Sequence, residues 1–94
     1  MNQFISPSFL VLSALVDGDK HGYAIMQWVA AKTEDSIHLG PASLYTTIRK
    51  LEHSGLICEV PDSDPKRRTY HCTDLGQSTL EQEMKTALLL FKAS

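Results

Sequence analysis

The chain has 94 residues, of which 43% are hydrophobic and 21% are charged, and its formal net charge is −2 at pH 7. The apolar content excludes a disordered tail, and the length corresponds to one domain, too short for most two-domain cofactor enzymes. The net charge argues weakly against nucleic-acid binding, because domains of that kind usually carry a basic balance. A chain this short buries little of its surface when it folds alone, so we expect a partner subunit.

The bulk features also favour a cytoplasmic protein. No segment approaches the 18 apolar residues of a membrane span, and the most apolar run, residues 9–16, contains Ser13. No Lys or Arg precedes this run, which makes it a poor signal peptide. Cys58 and Cys72 do not form a secreted disulfide scaffold, so we expect reduced thiols.

Two helices are predicted near the amino terminus. Ser6-Pro7 is typical of an N-cap followed by the first helical position, and Asp17-Gly18-Asp19 ends this helix. The first helix is apolar on much of its circumference, so we expect it to be buried on two sides. A second helix is predicted from His21 or Gly22 to about Ala31.

The middle of the chain predicts a short strand and a third helix. Ile37-His38-Leu39 alternates in polarity and indicates one short strand. Gly40-Pro41 opens a helix in which apolar residues recur at i, i+4 and i+7 from Leu44, which is one buried face. Ser54-Gly55 ends this helix, since glycine suits a left-handed C-cap.

A β-hairpin and a long helix complete the pattern. Residues 56–60 and 67–72 predict two strands, and residues 61–65 between them are rich in turn formers. Thr73 or Asp74 caps a last helix that reaches about Lys92 and would be about 30 Å long. The predicted fold is therefore mainly α with a small hairpin: a winged helix-turn-helix over residues 1–72 and a dimerisation helix over residues 73–94.

The third helix and the hairpin carry the functional prediction. A winged helix-turn-helix lays its recognition helix in the major groove of DNA, while the wing contacts the flanking backbone. The outward face of the third helix is small, hydroxyl-bearing, aromatic and cationic: Ala42, Ser43, Tyr45, Thr46, Arg49, Lys50 and His53. The hairpin adds Lys66-Arg67-Arg68 directly after its turn. Residues 43–50 and 66–68 hold five of the nine basic residues and no acidic one, so the overall charge conceals a basic surface.

Short motifs follow one another along the chain: Leu10-Val11-Leu12-Ser13-Ala14-Leu15, His21-Gly22-Tyr23-Ala24-Ile25, Leu39-Gly40-Pro41-Ala42-Ser43-Leu44-Tyr45, Leu51-Glu52-His53-Ser54-Gly55-Leu56-Ile57, Lys66-Arg67-Arg68-Thr69-Tyr70 and Thr73-Asp74-Leu75-Gly76. In this order they resemble the PadR family of bacterial transcriptional regulators over roughly residues 5–80. Each motif is weak alone, but their common order is specific. Two positions depart from the family pattern: Ala42 stands where glycine is usual and Thr46 where proline is frequent. Base preference therefore cannot be carried over.

The resemblance implies a winged-helix repressor of the family's short branch, with one helix after the wing. Such a protein is a homodimer that binds a pseudo-palindromic operator in double-stranded DNA and is released by a small aromatic or drug-like effector. The implied DNA contacts are Ser43, Tyr45, Thr46, Arg49, Lys50, Lys66, Arg67 and Arg68. Tyr23 joins them if its hydroxyl reaches a phosphate; packing in the core is the equal alternative. The expected dimer interface comprises Phe9, Leu80, Met84, Leu88 and Phe91.

Other chemistry has less support. His21 is expected to start the second helix. Trp28 either packs in the core or lines an effector pocket. Phe4, Phe9 and Phe91 are equal candidates for lining such a pocket, at the dimer seam. The His and Cys spacings match no structural zinc pattern, and no cofactor or catalytic constellation is present, so we expect no enzyme. The alternative function is a winged-helix protein-interaction module, an antirepressor or assembly factor that does not read DNA.

Overall fold

The computed structural model describes the backbone of residues 5–92 and the side chains of residues 5–91. Four helices follow one another: α1 (Pro7–Asp17), α2 (Gly22–Lys32), α3 (Pro41–His53) and α4 (Asp74–Lys92). Three strands, β1 (Lys20–His21), β2 (Ile57–Glu59) and β3 (Thr69–Cys72), form one antiparallel sheet in the order β1-β3-β2. The fold class is the predicted one, mainly helical with a small β-hairpin.

The short strand lies elsewhere than predicted. Residues 37–39 have no regular structure, although Ile37 and Leu39 are buried and His38 between them is exposed. The alternation reflects packing alone, because the Ile37 amide donates to the Thr33 hydroxyl (3.1 Å) and no strand pairs with this segment. The strand that does form is β1, whose Lys20 pairs with Tyr70 of β3.

Helix α1 is the centre of the core. It packs against α2, α3, α4 and β3, which is why apolar side chains occupy so much of its circumference. The residues that are buried almost completely come from α1, α2, α3 and β2: Val11, Leu12, Ile25, Val29, Leu44, Ile48 and Ile57. The prediction that α1 is buried on more than one side is confirmed.

Lys20 closes the carboxyl end of α1. Its ammonium group donates to the carbonyls of Ala14 (2.7 Å) and Gly18 (3.2 Å) and to the Asp17 carboxylate (3.1 Å). A cation at this end satisfies carbonyls that the helix leaves unpaired and opposes its dipole. The hydrogen bond and the charge of Lys20 also lower the pKa of Asp17. This lysine is thus structural.

The end of α3 is joined to the start of α4. Gly55 adopts a φ of +76°, the left-handed C-cap predicted for it, and the Leu56 amide donates to the Leu51 carbonyl (2.9 Å). Thr73 is the N-cap of α4, since its hydroxyl accepts from the Gly76 amide (3.1 Å). The same hydroxyl donates back to the Gly55 carbonyl (2.7 Å). One side chain therefore links the two helix termini.

Candidate nucleic-acid interface

Helix α3 presents the outward face that the sequence predicts. Gly40 is its extended N-cap and Pro41 occupies the first turn, while Leu44, Ile48 and Leu51 are buried. The exposed side chains of this helix include the full predicted set: Ala42, Ser43, Tyr45, Thr46, Arg49, Lys50 and His53. Thr47, which the sequence did not single out, is buried at 7% exposure beside the apolar face.

A groove of about 360 Å³ separates α3 from the wing, the loop of residues 60–68 between β2 and β3. Arg49 lines it from α3, and Lys66, Arg67 and Arg68 line it from the wing. Arg49 is distant in sequence from the three consecutive wing cations, and the hairpin brings these three to the same groove as Arg49. Ser43 and Thr46 lie in a separate depression beside Pro7, and Lys50 lines neither surface.

Three aromatic residues share the groove with these cations. Tyr45 comes from α3, Tyr70 from β3 and Tyr23 from the first turn of α2. Tyr23 is 61% exposed, so the alternative that it packs in the core is wrong. Its position leaves the phenol available to a ligand that enters the groove.

The amino end of α2 forms one wall of the groove. His21 is the N-cap, and its Nδ1 accepts from the Ala24 amide (3.2 Å), which confirms its structural role. Gly22 follows and is buried against α3. The dipole of α2 places partial positive charge at this wall, which makes it favourable to an anion.

Backbone hydrogen bonds shape the wing. The Val60 amide donates to the Thr69 carbonyl (2.8 Å), which continues the ladder beyond β2. Asp64 accepts twice, through its side chain from the Lys66 amide (2.9 Å) and through its carbonyl from the Arg67 amide (2.8 Å). These contacts form an Asx-type turn that holds the basic segment at the groove.

Two carboxylates lie close to this basic surface, and sequence reasoning missed both. Glu52, one turn beyond Arg49, lines the groove. Glu59 is paired with Arg68, with 4.0 Å between the carboxylate and Nε. Burial raises the pKa of Tyr70, and the negative charges of Glu52 and Glu59 raise it further. For Glu59 the missing signal was the register of the hairpin, while Glu52 follows Arg49 at i+3 on α3, a spacing from which it could have been found.

The expected dimer residues divide into two groups. Met84, Leu88 and Phe91 are exposed, as is every described side chain from residue 81 to 91. Leu80 is only 4% exposed and belongs to the core of its own chain, so its assignment to a subunit interface is wrong. Phe9 is partly buried against the same core.

The remaining candidates lie away from the groove. Trp28 is partly buried against both apolar clusters, and the ammonium groups of Lys20 and Lys32 lie 5.6 and 5.8 Å from its ring centre. It lines neither the groove nor the depression. Phe4 lies outside the described residues. Cys58 is exposed and Cys72 is partly buried, and both are free thiols.

The described part of the chain holds neither a cluster of metal-binding side chains nor a helix suited to a bilayer. No three His, Cys, Asp or Glu side chains among residues 5–91 come together in a way that would hold a metal ion. Within residues 5–92, no helix combines the length and the apolar composition that a bilayer span requires.

Comparison with known proteins shows which family shares this arrangement. A sequence model described as the transcriptional regulator PadR-like family matches residues 11–82. Uncharacterized protein X of Lysinibacillus sphaericus is 30% identical over 80 residues, which are 81% of this chain and 72% of that protein.

Solved structures agree with the sequence match. A transcriptional regulator from Clostridium thermocellum has a TM-score of 0.80 and 30% identity, with coverage of 92% of this chain and 86% of that chain. A PadR family transcriptional regulator from Eggerthella lenta has a TM-score of 0.77 and 28% identity, with coverage of 92% and 75%. The chain belongs to the transcriptional regulator PadR-like family, and its members are regulators of transcription rather than enzymes.

Proposed function

We propose that this chain is a sequence-specific DNA-binding regulator that acts as a homodimeric repressor. The observation that carries the proposal is the groove in which Arg49 of α3 faces Lys66, Arg67 and Arg68 of the wing. A surface with one helix face and one loop of like charge fits a duplex, because the helix enters the major groove while the loop follows the adjacent phosphates.

Each exposed residue has a role in this proposal. Arg49 and Lys50 contact guanine edges or phosphates, and Ser43, Tyr45 and Thr46 approach bases from the amino-terminal half of α3. Tyr23 donates its hydroxyl to a phosphate that rests against the amino end of α2. The wing cations bind the backbone and add affinity without sequence preference.

The DNA experiment uses fluorescence anisotropy with the promoter region of the protein's own gene. We expect tight binding that weakens steeply with salt, since phosphate contacts release counterions. Replacing Arg49, Lys50, Arg67 and Arg68 with alanine should abolish binding. Lys32→Ala is the control, because this lysine is exposed at the carboxyl end of α2 and lies outside both the groove and α4. Unchanged affinity in the fourfold variant would contradict the proposal.

The dimer forms through α4 in this proposal. Met84 is 47% and Leu88 60% exposed on the part of the helix that follows its last buried residue, Leu80. Exposed apolar side chains that recur along one helix are typical of a subunit interface, and a second copy of α4 covers them symmetrically. Sedimentation velocity tests this, and a stable monomer at micromolar concentration would contradict it.

Effector release is proposed from the family resemblance. A small aromatic or drug-like compound binds at the dimer seam, where Phe9 and Phe91 supply aromatic surface, and favours a spacing of the subunits that misfits the operator. Titration of such compounds into the protein–DNA complex, followed by anisotropy, measures this release. A panel of planar aromatic compounds that leaves the complex intact would count against it.

A second candidate function is a protein-interaction module that does not read DNA. Glu52 and Glu59 favour it, because carboxylates beside a DNA surface oppose phosphate. A heparin column separates the two functions. Retention that is lost at moderate salt supports the DNA-binding regulator, while elution in the void volume supports the interaction module.

A further inference from the structure

Glu59 is the last residue of β2, directly before the wing. In the β2–β3 register it is directly opposite Tyr70, and opposite residues of an antiparallel pair project from the same face. Tyr70 and Arg68 line the groove, and Glu59, which does not line it, is connected to the groove through its ion pair with Arg68. Its effect on the pKa of Tyr70 is consistent with this closeness.

Two contacts hold the Glu59 carboxylate in place. One oxygen lies 4.0 Å from Nε of Arg68, and the other accepts from the Ser63 hydroxyl (3.2 Å). Ser63 belongs to the wing, so the loop itself orients the acid toward the arginine. Arg68 remains 59% exposed along its side chain, which leaves it accessible to a phosphate.

We propose that Glu59 is an affinity-limiting residue of the DNA surface, because it competes with phosphate for Arg68. The proposal rests on the DNA-binding function proposed above. When the duplex enters the groove, the Arg68 guanidinium has to leave the Glu59 carboxylate, or the carboxylate and a phosphate have to share the guanidinium. The competition lowers binding to every sequence by a similar factor, so non-specific binding becomes weaker while the preference between sequences, which α3 determines, is unchanged.

The size of the effect follows from the exposure of the pair. Exposed ion pairs contribute a few tenths to about 1 kcal/mol, so removal of the carboxylate should tighten binding roughly twofold to fivefold. If Arg68 then binds a phosphate fully, the log–log dependence of affinity on salt becomes steeper by about one per protomer. A general change in net charge would not depend on Arg68.

The experiment measures anisotropy with a fluorescent duplex of random sequence between about 50 and 200 mM salt. The variants are Glu59→Gln, Arg68→Ala, the double variant and Ser63→Ala. Glu34→Gln is the matched control, because it removes the same charge from an exposed turn after α2, outside the groove and outside α4. We expect tighter binding and a steeper salt dependence for Glu59→Gln, a smaller gain for Ser63→Ala, and equal affinities for Arg68→Ala and the double variant.

The outcomes separate the two proposals. If the wild type and Glu59→Gln bind equally, or if Glu34→Gln gives the same gain, the role of Glu59 is overturned while DNA binding stands. A gain that persists in the Arg68→Ala background also overturns it, since the effect then does not pass through Arg68. If neither the wild type nor any variant binds the duplex at the lowest salt, the DNA-binding function itself is wrong.

Discussion

Gly22 and Tyr45 join the two helices of the proposed DNA-reading unit. A Cβ atom on Gly22 would lie 2.8 Å from the Tyr45 hydroxyl oxygen and 3.2 Å from Cδ2 of Leu44. The absence of a side chain therefore lets the Tyr45 ring lie over the start of α2. This contact places Tyr45 beside Tyr23 in the groove between α3 and the wing.

Gly22→Ala should lower the free energy of unfolding by about 1–3 kcal/mol, because the new methyl group displaces Tyr45 or separates the helices. Urea unfolding measures the loss. In a Tyr45→Phe background the loss should be smaller, since the nearest atom is gone. Gly40→Ala is the control: a Cβ there meets nothing within 4 Å, and its cost should stay below about 1 kcal/mol. Equal losses at the two glycines would contradict the close approach.

Gly76→Ala should be more damaging than Gly22→Ala. A Cβ at this position would overlap the carbonyl oxygen of Leu56 and lie 2.9 Å from Sγ of Cys72. A backbone oxygen cannot rotate away, so α4 has to shift, and we expect a loss of about 3 kcal/mol or more. Circular dichroism during urea unfolding measures it. Ser78→Ala, on the exposed side of α4, should change stability by less than about 0.5 kcal/mol.

Substitutions at Leu80 and Leu88 should affect different properties, the stability of the fold and the oligomeric state. Leu80→Ala removes a buried side chain from the core of the chain and should cost about 2–5 kcal/mol in unfolding. Leu88→Asp places a charge on an exposed surface, so it should leave the fold intact and shift the sedimentation coefficient to that of a monomer. A dimeric Leu88→Asp variant would exclude this part of α4 from the subunit interface.

Wing and helix substitutions should change DNA binding in distinct ways. Arg67→Ala should weaken binding to all sequences and reduce the salt slope by about one per protomer, because it removes a phosphate contact. Thr46→Ala should instead change the preference at one or two base positions, and selection from a random DNA pool followed by sequencing measures that. If Arg67→Ala changes base preference, the wing reads sequence and our division of roles is wrong.

Stability should fall at alkaline pH because of Tyr70 and Cys72. Burial raises the pKa of both groups, and Glu52 adds to the effect at Tyr70 and Asp74 at Cys72. A raised pKa in the folded state favours the neutral form. The stabilisation that each neutral group gives is therefore complete at pH values below its pKa in the unfolded state, about 8.5 for cysteine and 10 for tyrosine. It is lost as the pH rises through the pKa of the group in the folded state. Urea unfolding between those pH values and above them measures the decline, and Tyr70→Phe should make it shallower. A stability that is flat over this range would contradict it.

Local patterns were sufficient for the helices and for the outward face of α3. Helix starts at Ser6-Pro7 and Gly40-Pro41, and the left-handed Gly55, follow from rules that involve only neighbouring residues. Spacing from Leu44 fixed the buried side of α3, and the exposed side followed. These features are local, so the sequence alone could predict them.

Features that depend on distant partners were missed. Ile37 and Leu39 alternate like strand residues, but a strand needs a pairing partner, and β3 pairs with Lys20 instead. Periodicity placed Leu80 on an apolar stripe without distinguishing the chain's own core from that of a second subunit. The Glu59–Arg68 pair requires the register of the hairpin, which turn chemistry between residues 61 and 65 does not specify.

The Thr73 hydroxyl makes α4 a lever whose pivot lies at the end of α3. It donates to the Gly55 carbonyl on one side and accepts from the Gly76 amide on the other, so one side chain couples the two helix termini. In a dimer held through α4, a change in how the two long helices cross would rotate each α3 about that pivot. The distance between the two proposed DNA-reading faces would then be set by the exposed part of α4, residues 81–91, and not by the faces themselves.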